Sequence, residues 1–248
     1  MSIASRNIKS IIKKELYSYF VSPVAYVFIV MFLLLVGFFT FMLGGFFERN
    51  DASLESFFLW HPWLYMFLVP SVGMRLWAEE RRSGTMELLL TLPTKTWHAI
   101  VGKYFAGCFF LALCLVLTFP MVWTVCYLGD PDLGVIFCGY IGSLFVAYTF
   151  LAVSGMTSAL TRNQIVSFLI ALVICLLLIL AGWPPITSFF DKWAPAWLLE
   201  LVTAFSIIPH YEGIQRGVID SRDIIYYLSI IFFMLFGTSV ILQAKKGA

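Results

Sequence analysis

The residue types most able to do chemistry crowd into one stretch, Arg75 to Lys103, which reads R-L-W-A-E-E-R-R-S-G-T-M-E-L-L-L-T-L-P-T-K-T-W-H-A-I-V-G-K. Glu79, Glu80 and Glu87 stand among Arg81, Arg82 and Lys95, a mixture suited to ion pairing with another surface. Catalysis needs more than this. A phosphate cradle requires G-x-x-x-x-G-K-[ST], and the one Gly-Lys pair, Gly102-Lys103, is followed by Tyr104 and lacks the upstream glycine. The chain has neither H-E-x-x-H nor G-x-S-x-G, and no paired carboxylates face each other on an apolar run. Cys108, Cys114, Cys126, Cys138 and Cys175 form no C-x-x-C pair and have no histidine at ligand spacing, so they read as small buried apolar residues. The sequence therefore predicts no catalytic residue, no metal site and no enzyme activity in this chain.

The elements that must position this stretch follow from composition. At 61% hydrophobic and 12% charged, the chain has too much apolar surface for a water-soluble fold to hide. A helix needs about 20 apolar residues to cross the hydrocarbon layer. Six runs free of Asp, Glu, Lys and Arg qualify: Val24 to Phe47, Phe57 to Met74, Tyr104 to Leu128, Leu133 to Leu160, Ile165 to Phe190 and Ile224 to Leu242. The expected fold is all-α, a polytopic membrane protein with six transmembrane helices in a single domain over 1–248. The first run follows a long polar amphipathic stretch without an A-x-A-like cleavage site, so a retained span is expected there.

Positive charge sets the orientation. With six spans, one side holds Arg6, Lys9, Lys13, Lys14, Arg75, Arg81, Arg82, Lys95, Lys103, Arg162, Lys245 and Lys246, against Arg49, Lys192, Arg216 and Arg222 on the other. Both termini are expected in the cytoplasm. No basic cluster points to nucleic acid. Ion-coupled carriers keep charge at membrane depth. The expected spans hold none, with His61 and Arg75 at the ends of the second as interfacial or snorkelling residues, so any energy source lies outside the bilayer.

Residues 1–22 place Ile8, Ile11, Ile12, Leu16, Tyr19 and Phe20 on one helical face and Lys9, Lys13 and Lys14 off it, as an interfacial helix requires. Glu15 points into the apolar arc. It is either partly exposed near the headgroups, or ion-paired with a partner protein or with a basic residue at the end of the second span. Within Arg75 to Lys103, Ser83-Gly84 should break one helix, Ser83 or Thr85 cap a short second one, Glu87 suit its first turn, Pro93 end it and Thr94 cap the third span. Met86, Leu89 and Leu90 give that short helix an apolar patch, which docks either on the membrane surface or on a protein. On the other side, residues 184–222 read as a re-entrant region with a short helix from Leu198 to Ile208 and Trp193 and Trp197 at headgroup depth. Asp220 and Asp223 should cap the last span, and His210, beside Tyr211 and Glu212, reads as a turn histidine.

Glu79 to Pro93 resembles the E-E-R-x-x-G-T-x-E-x-L-L-x-x-P stretch of the membrane subunit of ABC-2 type ABC transporters, in which a Gly-Lys follows like Gly102-Lys103. In that family the segment, 79–98 here, is a coupling helix seated in a groove of a separate ATPase. The resemblance carries that role to Glu79, Glu80, Arg81, Gly84, Thr85, Glu87, Leu88, Leu89 and Pro93. It extends to the N-terminal K-K-E-L, to the turn T-S-A-L-T-R-N-Q and to P-H-Y-E-G-I-Q-R-G-V-I-D-S-R-D, and looks most like the permeases of gliding-motility-associated transporters. Glu15, Thr161, Arg162, Asn163 and Gln164 form a candidate second cytoplasmic contact.

The resemblance implies a bacterial inner-membrane permease that works with two ABC ATPase subunits and a second or related permease, with an extracytoplasmic accessory protein as a further candidate partner. ATP and magnesium would be bound by the ATPase, and no cofactor by this chain. Uncharged, aromatic-rich spans favour a lipid-like or amphipathic cargo, though force transmission is an equal alternative. The rival reading is a non-energised scaffold or channel.

Overall fold

The computed structural model of the chain describes residues 3–48, 52–84, 96–190 and 195–244, in which every regular element is helical. Helix α1, Ile3–Val21, is separated by Ser22 from α2, Pro23–Phe38, which continues as a π-helical turn, Phe39–Leu43. Ser22 caps α2 through a bond from the Val24 amide, and Pro23 opens it, where its missing N–H costs nothing. Helices α3 (Glu55–Leu59), α4 (His61–Gly73) and α5 (Arg75–Arg82) follow almost end to end. Helix α6, Thr96–Val116, leads through Thr118 and Phe119 into α7, Pro120–Leu128. Then come α8 (Leu133–Leu160), α9 (Gln164–Leu180), α10 (Pro184–Phe190), α11 (Ala196–Ala204), α12 (Ile207–Gln215) and α13 (Ser221–Ala244).

Helix α8 is the axis of the bundle and packs against α4, α6, α9, α12 and α13. Its buried positions are rich in small residues, among them Gly139, Gly142, Ser143, Ala147, Ser154, Gly155 and Ser158. Between lipid-embedded helices the gain comes from close backbone approach rather than from escape from water, so small residues mark the contact faces. At the α4–α8 crossing, a Cβ on Gly73 would overlap the Ser154 side chain. Large apolar side chains on α2, α9 and α13, such as Leu34, Leu177 and Phe233, point outward at more than half exposure. That pattern suits a hydrocarbon solvent.

Four stretches are long and apolar enough to cross a membrane: Pro23–Leu43, Thr96–Leu128, Leu133–Leu160 and Ser221–Ala244. The other two expected runs are shorter as helices. The second is divided around Trp60, where Pro62 in the first turn of α4 supplies no amide, and again at Met74. The fifth ends at Leu180, and Pro184-Pro185 begins a separate element. The third starts eight residues earlier than expected, at Thr96, which brings His98 and Lys103 inside its helix.

In the 184–222 region, the single helix expected from Leu198 to Ile208 is two. Ser206 interrupts it because its hydroxyl donates to Leu178 O at 3.0 Å while accepting from the Ile208 amide to cap α12. Asp220 accepts from the Arg222 amide at the start of α13, which with that cation holds its carboxyl below the usual range. Asp223 instead pairs with His210 at 2.7 Å, and the His210 ring stacks on Tyr226. His210 is thus a tether between α12 and α13 rather than a free turn histidine.

Candidate functional site

The expected ATPase-contact residues fall into two groups. Thr85, Glu87, Leu88, Leu89 and Pro93 lie outside the described residues, as do Met86, Leu90 and the Thr94 cap. Glu79, Glu80 and Arg81 lie on α5, with Gly84 just beyond its end. Helix α5 stops where the sequence expects: Gly84 has φ +71°, a conformation that a side chain disfavours. The Ser83 hydroxyl donates back to Glu79 O and Glu80 O, closing α5.

Behind this short helix sits Lys103, only 3% exposed, on α6. Its Nζ lies 2.9 Å from Glu80 Oε1 on α5 and 3.2 Å from Glu15 Oε1 on α1, with both carboxylate side chains 16% exposed. The ammonium also stands 5.2 Å from the centroid of the Trp77 ring, within cation–π range. One cation therefore joins three elements. Glu15 thus pairs with Lys103 of the Gly-Lys pair, inside α6, rather than with Arg75. The close fit begins one residue earlier: a Cβ on Gly102 would come within 2.8 Å of Ile11 Cγ2, so α1 rests directly on the α6 backbone. Tyr19 stacks on Phe110 one face further along, and its burial, with Glu15 nearby, pushes the phenol pKa up.

A second anchor ties α5 to α8. Ser158 Oγ accepts from the Trp77 and Ala78 amides at 3.0 and 2.9 Å and donates to Met74 O at 2.8 Å. Those amides belong to the first turn of α5, which has no intrahelical acceptors. Ser158 thus caps α5 from another helix. Beside it, Arg81 reaches Leu160 O at 3.4 Å, and its pKa is lowered by burial and by the neighbouring Arg162. The turn after α8 is therefore adjacent to α5. In that turn Thr161 donates to Asn163 O, Asn163 caps α9 through the Ile165 amide, and Arg162 and Asn163 are exposed.

Structure thus assembles Glu15, Glu79, Glu80, Arg81, Thr161, Arg162, Asn163 and Gln164 around one end of the bundle, held by Lys103 and Ser158. Those two residues escaped sequence reasoning as site residues. Lys103 looked like part of a linker, and Ser158 like one more small residue in an apolar run. His61 is fully buried among Phe32, Phe57, Phe58 and Tyr65, bonded through Nδ1 to Phe57 O at 2.8 Å. Among the cysteines, Cys108, Cys114 and Cys175 are buried as expected, whereas Cys126 is exposed on α7. No group of three or more metal-binding side chains occurs among the described residues.

Residues 62–195, more than half of the chain, match a family model described as ABC-2 family transporter protein. No curated protein matches the chain.

Proposed function

Because the chain belongs to the ABC-2 family of transporter proteins, and is thus a multi-pass permease subunit expected to partner an ABC ATPase, we propose that residues 79–98 form its ATPase-coupling element. Glu79, Glu80, Arg81 and Gly84 would lead into the docking segment that contains Thr85, Glu87, Leu88, Leu89 and Pro93. Glu15 and the Thr161–Gln164 turn would flank it. The observation that supports this reading is the Lys103 junction, because it fastens α1, α5 and α6 together on both sides of the 85–95 segment. A push on that segment by a closing ATPase would reach α5 and α6 at once and carry α1 with them. Packed elements that move as a body transmit small displacements well.

In the same reading the permease crosses the inner membrane six times, with α3–α4 and α9 completing the set of crossings and both termini cytoplasmic. Two ATPase subunits would bind and hydrolyse ATP with magnesium, while this chain contributes no cofactor and no catalysis. Two permeases, identical or related, would form the membrane unit, and the subfamily resembled is that of gliding-motility-associated transporters. Its task would be export of an amphipathic or lipid-like substrate, or transmission of force to an extracytoplasmic accessory protein.

Co-expression of the tagged chain with candidate ATPases, followed by purification and ATP hydrolysis assays, tests the core of this reading. Hydrolysis should co-purify with the wild-type chain and fall or uncouple with Glu87→Ala. A chain that captures no ATPase would point to the non-energised scaffold or channel.

A further inference from the structure

An apolar groove of about 230 Å³ lies beside the Lys103 junction, where the α1–α2 corner meets α4 and α6. Its walls include Val24, Phe28, Met31, Leu68, Val72 and Phe110. Phe110 forms the floor, packed against Tyr19, Phe20 and Phe28. The outer wall is open along α2, where Val24, Val27 and Met31 are 48%, 60% and 46% exposed. From Ser22 to Met31 the groove follows nine residues of helix, roughly 13 Å of rise. Hydrocarbon therefore meets it along its length.

One end is different. Tyr19, Ser22, Ser71 and Arg75 border it there, at the level where the amphipathic α1 turns into the apolar α2. Arg75 brings a guanidinium to this end, a planar group with a fork of N–H donors. Its Nε is sealed from solvent and has no hydrogen-bond partner, the carboxylate of Glu79 lying 3.8 Å away, beyond bonding range. The Arg75 side chain as a whole is 32% exposed, so part of the guanidinium is open to an anion arriving from the groove, and a guanidinium is shaped to take a phosphate by two bonds. Apolar walls ending at a cation are complementary to one kind of molecule.

We propose that this groove is a binding site for an anionic phospholipid, with an acyl chain laid between α2 and α4 and the phosphate on Arg75. Such a lipid would bind α1, α2, α4 and the start of α5 into one unit next to Lys103. The proposal needs only that the chain resides in a bilayer and stands apart from the ATPase reading.

Native mass spectrometry of the full-length chain, released from detergent with equimolar phosphatidylglycerol and phosphatidylcholine, tests it. The wild type should retain one phosphatidylglycerol with at least a tenfold preference. Arg75→Gln should reduce that preference to near unity, and Val27→Trp, which fills the groove, should lower retention of both lipids. Lys13→Gln with Lys14→Gln on the exposed face of α1 should leave the preference intact. Preference that survives Arg75→Gln, or that vanishes with the two lysines alone, overturns the proposal. So does equal competition by inorganic phosphate, which would mark a soluble-anion site, or efficient Val27→Cys cross-linking between chains, which would show a second copy covering the groove.

Discussion

Lys103 is held by two carboxylates and an aromatic face, and each of those contacts comes from a different position along the chain. In so dry a setting, removing the cation leaves two acidic groups facing each other without it. Breaking a buried pair in this way costs about 3 kcal/mol or more. Lys103→Met should therefore lower the melting temperature of the purified protein by several degrees. Adding Glu15→Gln and Glu80→Gln should recover part of the loss, because the two carboxylates no longer repel each other. Additive losses across the triple variant would show that the three residues act separately. Glu15 was visible in the sequence as an anomaly on an apolar face. Its partner was not, since the pairing spans 88 positions of chain and only packing of α1 on α6 brings the two together.

At the scale of elements, α5 depends on its neighbours. Eight residues are too few to be helical alone, and Ser158 supplies what the first turn lacks. Ser158→Ala strands two buried amides, at about 1 to 3 kcal/mol, and should raise hydrogen exchange at Trp77 and Ala78 above that of the rest of α5. Exchange that rises equally across α5 and α8 would argue against a capping role. At the other end, Gly84→Ala places a side chain at φ +71° and should cost about 1 kcal/mol, read as a lower melting temperature without loss of membrane insertion. The Ser83-Gly84 break was legible because glycine after a basic last turn is a stop signal in its own right. The role of Ser158 was not, because a serine in an apolar run looks the same whether its hydroxyl bonds within its own helix or across to another.

Over the whole molecule, the charge bias and the bundle agree on one polar end. Ser83 and the turn after α8 lie at the end that carries Lys103, and the α7–α8 connection around Asp130 lies at the far end of α8. Cysteines placed at Ser83 and at Asp130, in a background lacking native thiols, should react with an impermeant maleimide from opposite sides of the membrane, Ser83→Cys from the cytoplasm only. Labelling of both from one side would overturn the orientation. Two of the six expected crossings are shorter or divided as helices, because apolar content measures affinity for hydrocarbon, whereas continuity of a helix depends on each backbone amide finding its acceptor. Pro62 and Pro184-Pro185 withdraw those amides.

The sequence by itself determined what kind of solvent this chain is built for, where its charge lies and which segment resembles a family motif, because hydropathy and local motifs are carried by consecutive residues. Tertiary structure alone decided that Lys103 belongs to Glu15 and Glu80, that Ser158 caps α5, that His210 holds Asp223 and that Arg75 closes an apolar groove. Those pairings join residues far apart in the chain, and burial of a polar group forces it to bond with whatever packing brings within reach.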